Sequence, residues 1–146
     1  MLRDPSLVPL SHQHHNGLAL CVLTRRSLSA DSSAENVAKL ARRVIDRHEL
    51  ELVNHFEIEE QVLFPVCAPM PLIDELFADH RKIEALVAQL RTEPAATLLE
   101  EFCALLSSHI RREESELFEQ IQRELPREVL DRAGREIDRR AVRICL

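Results

Sequence analysis

The sequence predicts an all-α protein, an up-down-up-down antiparallel four-helix bundle with a short additional C-terminal helix. Three observations carry that expectation. Leu, Ala, Glu and Arg dominate, and only two glycines occur in 146 residues, a composition that favours helix. Prolines and short polar turns divide the chain into four long stretches. Within each stretch apolar residues recur at steps of three and four, the spacing of a helix that buries one face. Long helices joined by short turns pack as antiparallel neighbours.

The elements follow in order. Residues 1–9 form an extended lead-in, with Pro9 placed to start the first helix. That helix turns Leu10, Leu18, Cys21 and Leu28 inward, and His14 falls on the same stripe. Ser29 to Ser33 makes a polar turn in which Ser32 or Ser33 can cap the next helix. The second helix runs from about Ala34 to the Pro65 boundary, with the seam Ala41, Ile45, His48, Leu52, His55, Glu59 and Val62. Pro65, Pro69 and Pro71 break it. The third runs from about Leu72 to Arg91, and His80 interrupts its apolar seam of Ile73, Leu76, Ile83, Val87 and Leu90. The fourth runs from about Ala95 to Leu125, with Leu99, Phe102, Leu106, His109, Glu113, Leu117 and Ile121 inward. Pro126 ends it, and residues 127–146 read as a further short helix docking through Val129, Ile137, Val142 and Ile144. The chain is thus expected to be a single domain over 1–146, with the bundle at about 10–125 and the helical tail at 126–146.

Composition removes several classes of function. A formal charge of −6 argues against a nucleic-acid binder driven by phosphate neutralisation. No apolar run is long enough for a bilayer and no signal-peptide pattern opens the chain, so no membrane partner is expected. Cys21, Cys67, Cys103 and Cys145 lie far apart without Cys-x-x-Cys spacing, which suits reduced thiols in a cytoplasmic protein. The cysteines read most simply as packing residues, with Cys21 and Cys67 the candidates for redox sensitivity. Trp and Tyr are absent, which removes a tyrosyl radical or a phenolate ligand.

The chemistry sits in a repeat. His55-Phe56-Glu57-Ile58-Glu59-Glu60-Gln61-Val62-Leu63-Phe64 returns fifty-four residues later as His109-Ile110-Arg111-Arg112-Glu113-Glu114-Ser115-Glu116-Leu117-Phe118. Both read His-x-x-x-Glu-Glu-x-x-Leu-Phe, and on a helix positions i and i+4 share a face. In the expected topology His14, Glu59, His80 and Glu113 all lie roughly 10–20 Å from one end of the bundle, at ~1.5 Å per residue. Two His-x-x-x-Glu pairs and two further histidines would therefore be buried together. Buried carboxylates without partners cost several kcal/mol each, so something must neutralise them, and a pair of cations does so while explaining the mixed His/carboxylate set. Imidazole with carboxylate suits iron, manganese or zinc, and shared carboxylates suit two ions. Ferritin-like Glu-x-x-His and zincin His-Glu-x-x-His spacings are both missing.

The residues do resemble the hemerythrin-like family, the HHE cation-binding domain. The resemblance rests on Leu10-Ser11-His12-Gln13-His14-His15, on His55-x-x-x-Glu59 with Glu60 and Leu63-Phe64-Pro65, on Asp79-His80, and on His109-x-x-x-Glu113 with Leu117-Phe118. It covers about residues 7–125. It implies a non-haem centre of two iron ions, bridged by oxide or hydroxide, inside a four-helix bundle; recombinant material can carry zinc or manganese instead. By position His14, His55, His80 and His109 would be terminal ligands, with Glu59 and Glu113 bridging. Glu84 stands where hemerythrin proper has a second third-helix histidine, and Glu114 where it has its second carboxylate. Whether either of them coordinates stays open, with Glu60 expected to turn aside. His12 and His15 point to other faces than His14. His48 sits two turns from His55, roughly 10 Å away, too far to share its metal.

The function implied is a cytoplasmic protein that binds or senses O2, NO or peroxide at the iron pair. One alternative is a peroxide-decomposing, catalase-like enzyme or an iron-handling and repair enzyme. A second is a metal-stabilised interaction module, in which Arg132, Arg135, Arg139, Arg140 and Arg143 of the C-terminal helix meet an acidic protein partner.

Overall fold

Asp4 starts the regular structure: its Oδ1 accepts from the Ser6 amide at 2.9 Å and caps a 3-10 turn, Pro5–Leu7. The computed structural model describes residues 2–144. All of the regular structure among them is helical. α1, Val8–Ala30, has Pro9 in its first turn, where a missing amide hydrogen costs nothing. Ser33 rather than Ser32 caps the second helix, its hydroxyl accepting from Asn36 N at 3.2 Å. α2 continues without a break over residues 34–63 and passes into a 3-10 turn, Phe64–Val66. α3, Pro71–Thr92, begins on its proline; α4 covers 96–124; α5, Arg127–Arg140, follows Pro126. No helix among the described residues is long and apolar enough to cross a membrane.

The predicted seams are the buried ones. Every inward position named above on α2, α3 and α4 is buried, and on α1 only Leu18 is half-buried. α1 packs on α2 and α4, and α3 packs on the same two helices. Two apolar clusters result. One gathers Leu20, Val44, Ile83, Val87, Phe102 and Leu106; the other gathers Leu7, Leu10, Leu63, Leu76, Leu117 and Phe118. The histidines and carboxylates belong to neither.

Residues 5–9 are helical rather than extended, and two larger features also differ from the sequence reading. α2 and α4 are not α-helical throughout, because each contains a π turn, Glu59–Leu63 and Glu113–Leu117, and α2 has another at His48–Leu52. The Phe64 amide donates to Glu59 O and the Phe118 amide to Glu113 O, a five-residue closure at the same point of each repeat. The tail is the second difference. α5 ends at Arg140, and residues 141–144 run on without helix, so Val142 and Ile144 do not dock as helix residues; Cys145 lies outside the described residues. α5 docks through Leu130, Ala133, Gly134 and Ile137, leaving Val129 half-buried. It crosses the Pro5–Leu7 turn so closely that a Cβ on Gly134 would lie 2.9 Å from Ser6 Cα. Of the arginines named in this tail, Arg139 and Arg140 pair with Glu136 and Arg143, beyond the helix, with Asp138, while Arg132 and Arg135 are exposed.

Candidate metal centre

Four helices each bring a histidine to one place. His14 comes from α1, His55 from α2, His80 from α3 and His109 from α4, and none is more than 3 % exposed. Between them lie Glu59 and Glu113, both 0 % exposed. These residues form two overlapping groups that could hold a metal ion, His14–His55–Glu59–Glu113 and His80–His109–Glu59–Glu113, with ligand atoms within 4.8 Å of one another. All six predicted residues therefore converge, and the two carboxylates are common to both groups. Each of these glutamates opens a π turn. A π turn widens the helix locally and redirects the side chain at its start, a feature frequent at functional sites.

The nitrogens facing the centre are the Nε2 atoms. His14 Nε2 lies 2.8 Å from Glu113 Oε1, and His80 Nε2 lies 3.0 Å from Glu59 Oε1. His55 Nε2 stands 3.4 Å from Glu59 Oε1 and 3.7 Å from Glu113 Oε1. His109 Nε2 stands 3.3 Å from Glu113 Oε1 and 3.9 Å from Glu59 Oε1. His55 Nε2, His109 Nε2, Glu59 Oε2 and Glu113 Oε2 are buried without a hydrogen-bond partner. Leaving four such atoms together would cost several kcal/mol. Cations bound between the imidazoles and carboxylates would satisfy all four, so the residues fit a two-metal site.

Behind each imidazole the Nδ1 hydrogen has its own acceptor. His14 Nδ1 donates to Glu114 at 2.5 Å, His55 Nδ1 to Gln13 at 2.8 Å, His80 Nδ1 to Glu60 at 2.6 Å and His109 Nδ1 to Asp79 at 3.0 Å. Such contacts fix the tautomer, leaving the Nε2 lone pair for a metal. Every acceptor is the sequence neighbour of a site residue: Gln13 of His14, Glu60 of Glu59, Asp79 of His80 and Glu114 of Glu113. One step along a helix turns a side chain by about 100°. Each neighbour thus leaves the centre and reaches the histidine on the next helix, α1 to α2, α2 to α3, α3 to α4 and α4 to α1. Glu60 is turned out of the centre, as expected, but it holds His80. Glu114 holds His14, with an oxygen also accepting from Ser11 at 2.7 Å. The doubled acids of the repeat were the signal for these roles; nothing in the sequence marked Gln13.

Charge is tightly coupled here. Burial pulls the His55 pKa down, but the Glu59 and Glu113 carboxylates reverse that and raise it to about 9. His109 is likewise opposed by burial and carried up to about 12 by Glu113, Asp79 and Glu59. Burial and mutual repulsion push Glu59 upward, and the imidazoles outweigh both to leave it lowered. Burial opposes ionisation of Glu113 too, yet His109 and its other partners hold it well below the usual carboxylate range. Aromatic rings enclose the set: Phe56 stacks on His80 with centroids 4.0 Å apart, and Phe118 on His14 at 5.3 Å.

Other candidates fall outside. Glu84 turns from the centre, with Oε2 2.8 Å from His48 Nε2, although neither His48 nitrogen makes an aligned hydrogen bond. His12 and His15 are exposed. Cys67 donates to Leu63 O, and burial pushes its thiol up to about 11, away from a reactive thiolate. Cys21 is buried against Cys103, whose hydrogen bond lowers its pKa.

A family model described as the hemerythrin HHE cation binding domain matches residues 7–139. The chain belongs to this hemerythrin family. No curated protein and no solved structure matches it. The match begins just before α1 and ends within α5, so it takes in all six buried histidines and glutamates of the centre.

Proposed function

We propose that this hemerythrin-family chain is a cytoplasmic non-haem di-iron protein that binds or senses O2, NO or peroxide. The observation that carries the reading is the pair of overlapping His/Glu groups built on Glu59 and Glu113, whose side chains include four buried polar atoms without a hydrogen-bond partner. His14 and His55 would hold one ion, His80 and His109 the other, and Glu59 and Glu113 would bridge them. Six side chains cannot fill the coordination of two iron ions, and the pair would supply open positions for a diatomic molecule or peroxide. Around it Phe56, Phe64 and Phe118 exclude water, and Gln13, Glu60, Asp79 and Glu114 hold the imidazoles with Nε2 inward. The packing of α1 and α3 each on both α2 and α4 supports the up-down-up-down four-helix arrangement for this cage.

The test is metal analysis of untagged protein, followed by anaerobic iron loading and exposure to each ligand. Because Trp and Tyr are absent, near-ultraviolet absorption beyond the Phe bands reports the centre itself. The expected result is two iron ions per chain and a new absorption band with O2, NO or peroxide. Stoichiometric zinc with no spectral response to any of the three would overturn the reading. Oxygen evolution from peroxide, lost in Glu113→Ala, would select the enzymatic alternative.

A further inference from the structure

Of the four acceptors behind the histidines, three are carboxylates and one, Gln13, is a neutral amide. The difference matters physically. A carboxylate accepts through either oxygen, so Glu60, Asp79 and Glu114 can hold their imidazoles in any flip. An amide accepts at one end and donates at the other. Were the amide of Gln13 reversed, its hydrogens would face His55 Nδ1, which would then need a lone pair there. The imidazole hydrogen would move to Nε2, the nitrogen that faces Glu59 and Glu113.

What orients this amide lies in the C-terminal segment. Gln13 Nε2 donates to Asn54 Oδ1 at 2.9 Å and to the Val142 carbonyl at 3.1 Å. Asn54 is itself oriented by backbone, accepting from Val142 N at 3.0 Å and donating to Arg140 O at 3.0 Å. Backbone groups cannot exchange donor for acceptor, so the polarity of this chain of bonds is set by residues 140–142. Asn16 extends the attachment, donating to Ile144 O at 3.1 Å and to Glu51 at 2.8 Å. Residues 141–144 thus form a strap, and Gln13, itself 2 % exposed, joins it to His55. A glutamate at this position would serve His55 but could not donate to the strap.

We propose that Gln13 is a positioning residue through which the strap sets how firmly the His14–His55 half of the centre holds its metal. The inference rests on the two-metal reading above. With the strap in place the Gln13 amide presents its oxygen to His55 and Nε2 stays free for the ion. With the strap released the amide presents either end, and this half alone loosens, since the acceptors for His80 and His109, Glu60 and Asp79, make no hydrogen bond to the strap among the described residues.

The experiment is release of iron(II) from the loaded full chain to a chelator in excess, counting ions per chain and rate. Wild type should release both ions slowly. Gln13→Ala, and separately a chain ending at Arg140, should release one ion about tenfold to a hundredfold faster and the other at the wild-type rate. Gln13→Glu should restore slow release of both while trypsin cleaves after Arg143 faster than in the wild type, because the acceptor is back and the Gln13 bond to the strap is gone. Wild-type release rates in Gln13→Ala and in the truncated chain would overturn the inference alone, as would failure of Gln13→Glu to restore retention. A wild type that holds no metal overturns the two-metal reading and this inference with it.

Discussion

Replacing Glu59 by Gln removes one charge from the centre while keeping the shape of the side chain, and its consequences can be worked from the contacts. In the metal-free protein the Glu59 carboxylate, 3.4 Å from His55 Nε2, is the main partner opposing the burial of His55. The rise of the His55 pKa from 6.5 to about 9 corresponds to roughly 3 kcal/mol. Glu113 shares in that rise, and losing Glu59 also relieves its repulsion with Glu113, so the net loss is roughly 1–2 kcal/mol. For a chain of this length that lowers Tm by roughly 3–6 °C. The folded pKa of His55 is raised, so its contribution is fully present below the unfolded value of 6.5 and lost as pH rises through about 9. Thermal unfolding followed by circular dichroism in chelator should therefore show wild type well above Glu59→Gln at pH 6, with the gap narrowed by about pH 10, where His55 has lost its charge and His109 still keeps its own. Metal adds a second readout. At a hundredfold excess over Kd, binding stabilises wild type by about 2.7 kcal/mol for each ion, and Glu59→Gln should lose this for both ions because Glu59 serves both groups. A variant as stable as wild type at pH 6, or one with a gap that does not change with pH, would refute the reasoning.

Two further outcomes test the frame around the centre. Arg127 holds the Asp4 carboxyl down to about 2, so Asp4 contributes stability above its unfolded pKa of 3.8 that is lost as pH falls through about 2. Asp4→Asn should cost less than about 1 kcal/mol at pH 7, since Arg127 is well exposed, and only a small fraction of that at pH 2; denaturant titrations at the two values check it. Gly134→Ala would place a Cβ 2.9 Å from the Ser6 backbone and should cost about 1–3 kcal/mol by overpacking. Its Tm should fall with no change in metal content, and Ser6→Gly in the same chain should recover part of the loss.

The sequence by itself determined the helices, their inward stripes and the six residues that meet at the centre. Those features are local and periodic: a histidine and a glutamate four apart share a face whatever the partner helix is, and prolines end helices wherever they stand. Buried polar residues on apolar stripes also announce that something must compensate them. Tertiary structure decided the rest. The π turns at Glu59 and Glu113 carry no residue signature, because a five-residue closure is selected by where the side chain must reach rather than by propensity. Glu84 turned to His48 and Glu114 to His14 because the nearest imidazole on a neighbouring helix, invisible along the chain, competes for each carboxylate. Gln13 is the clearest case. Its amide acquires meaning only when His55 arrives from forty-two residues away on one side and Val142 from 129 residues away on the other. Long-range hydrogen bonds are set by packing, and packing is a property of all the helices together.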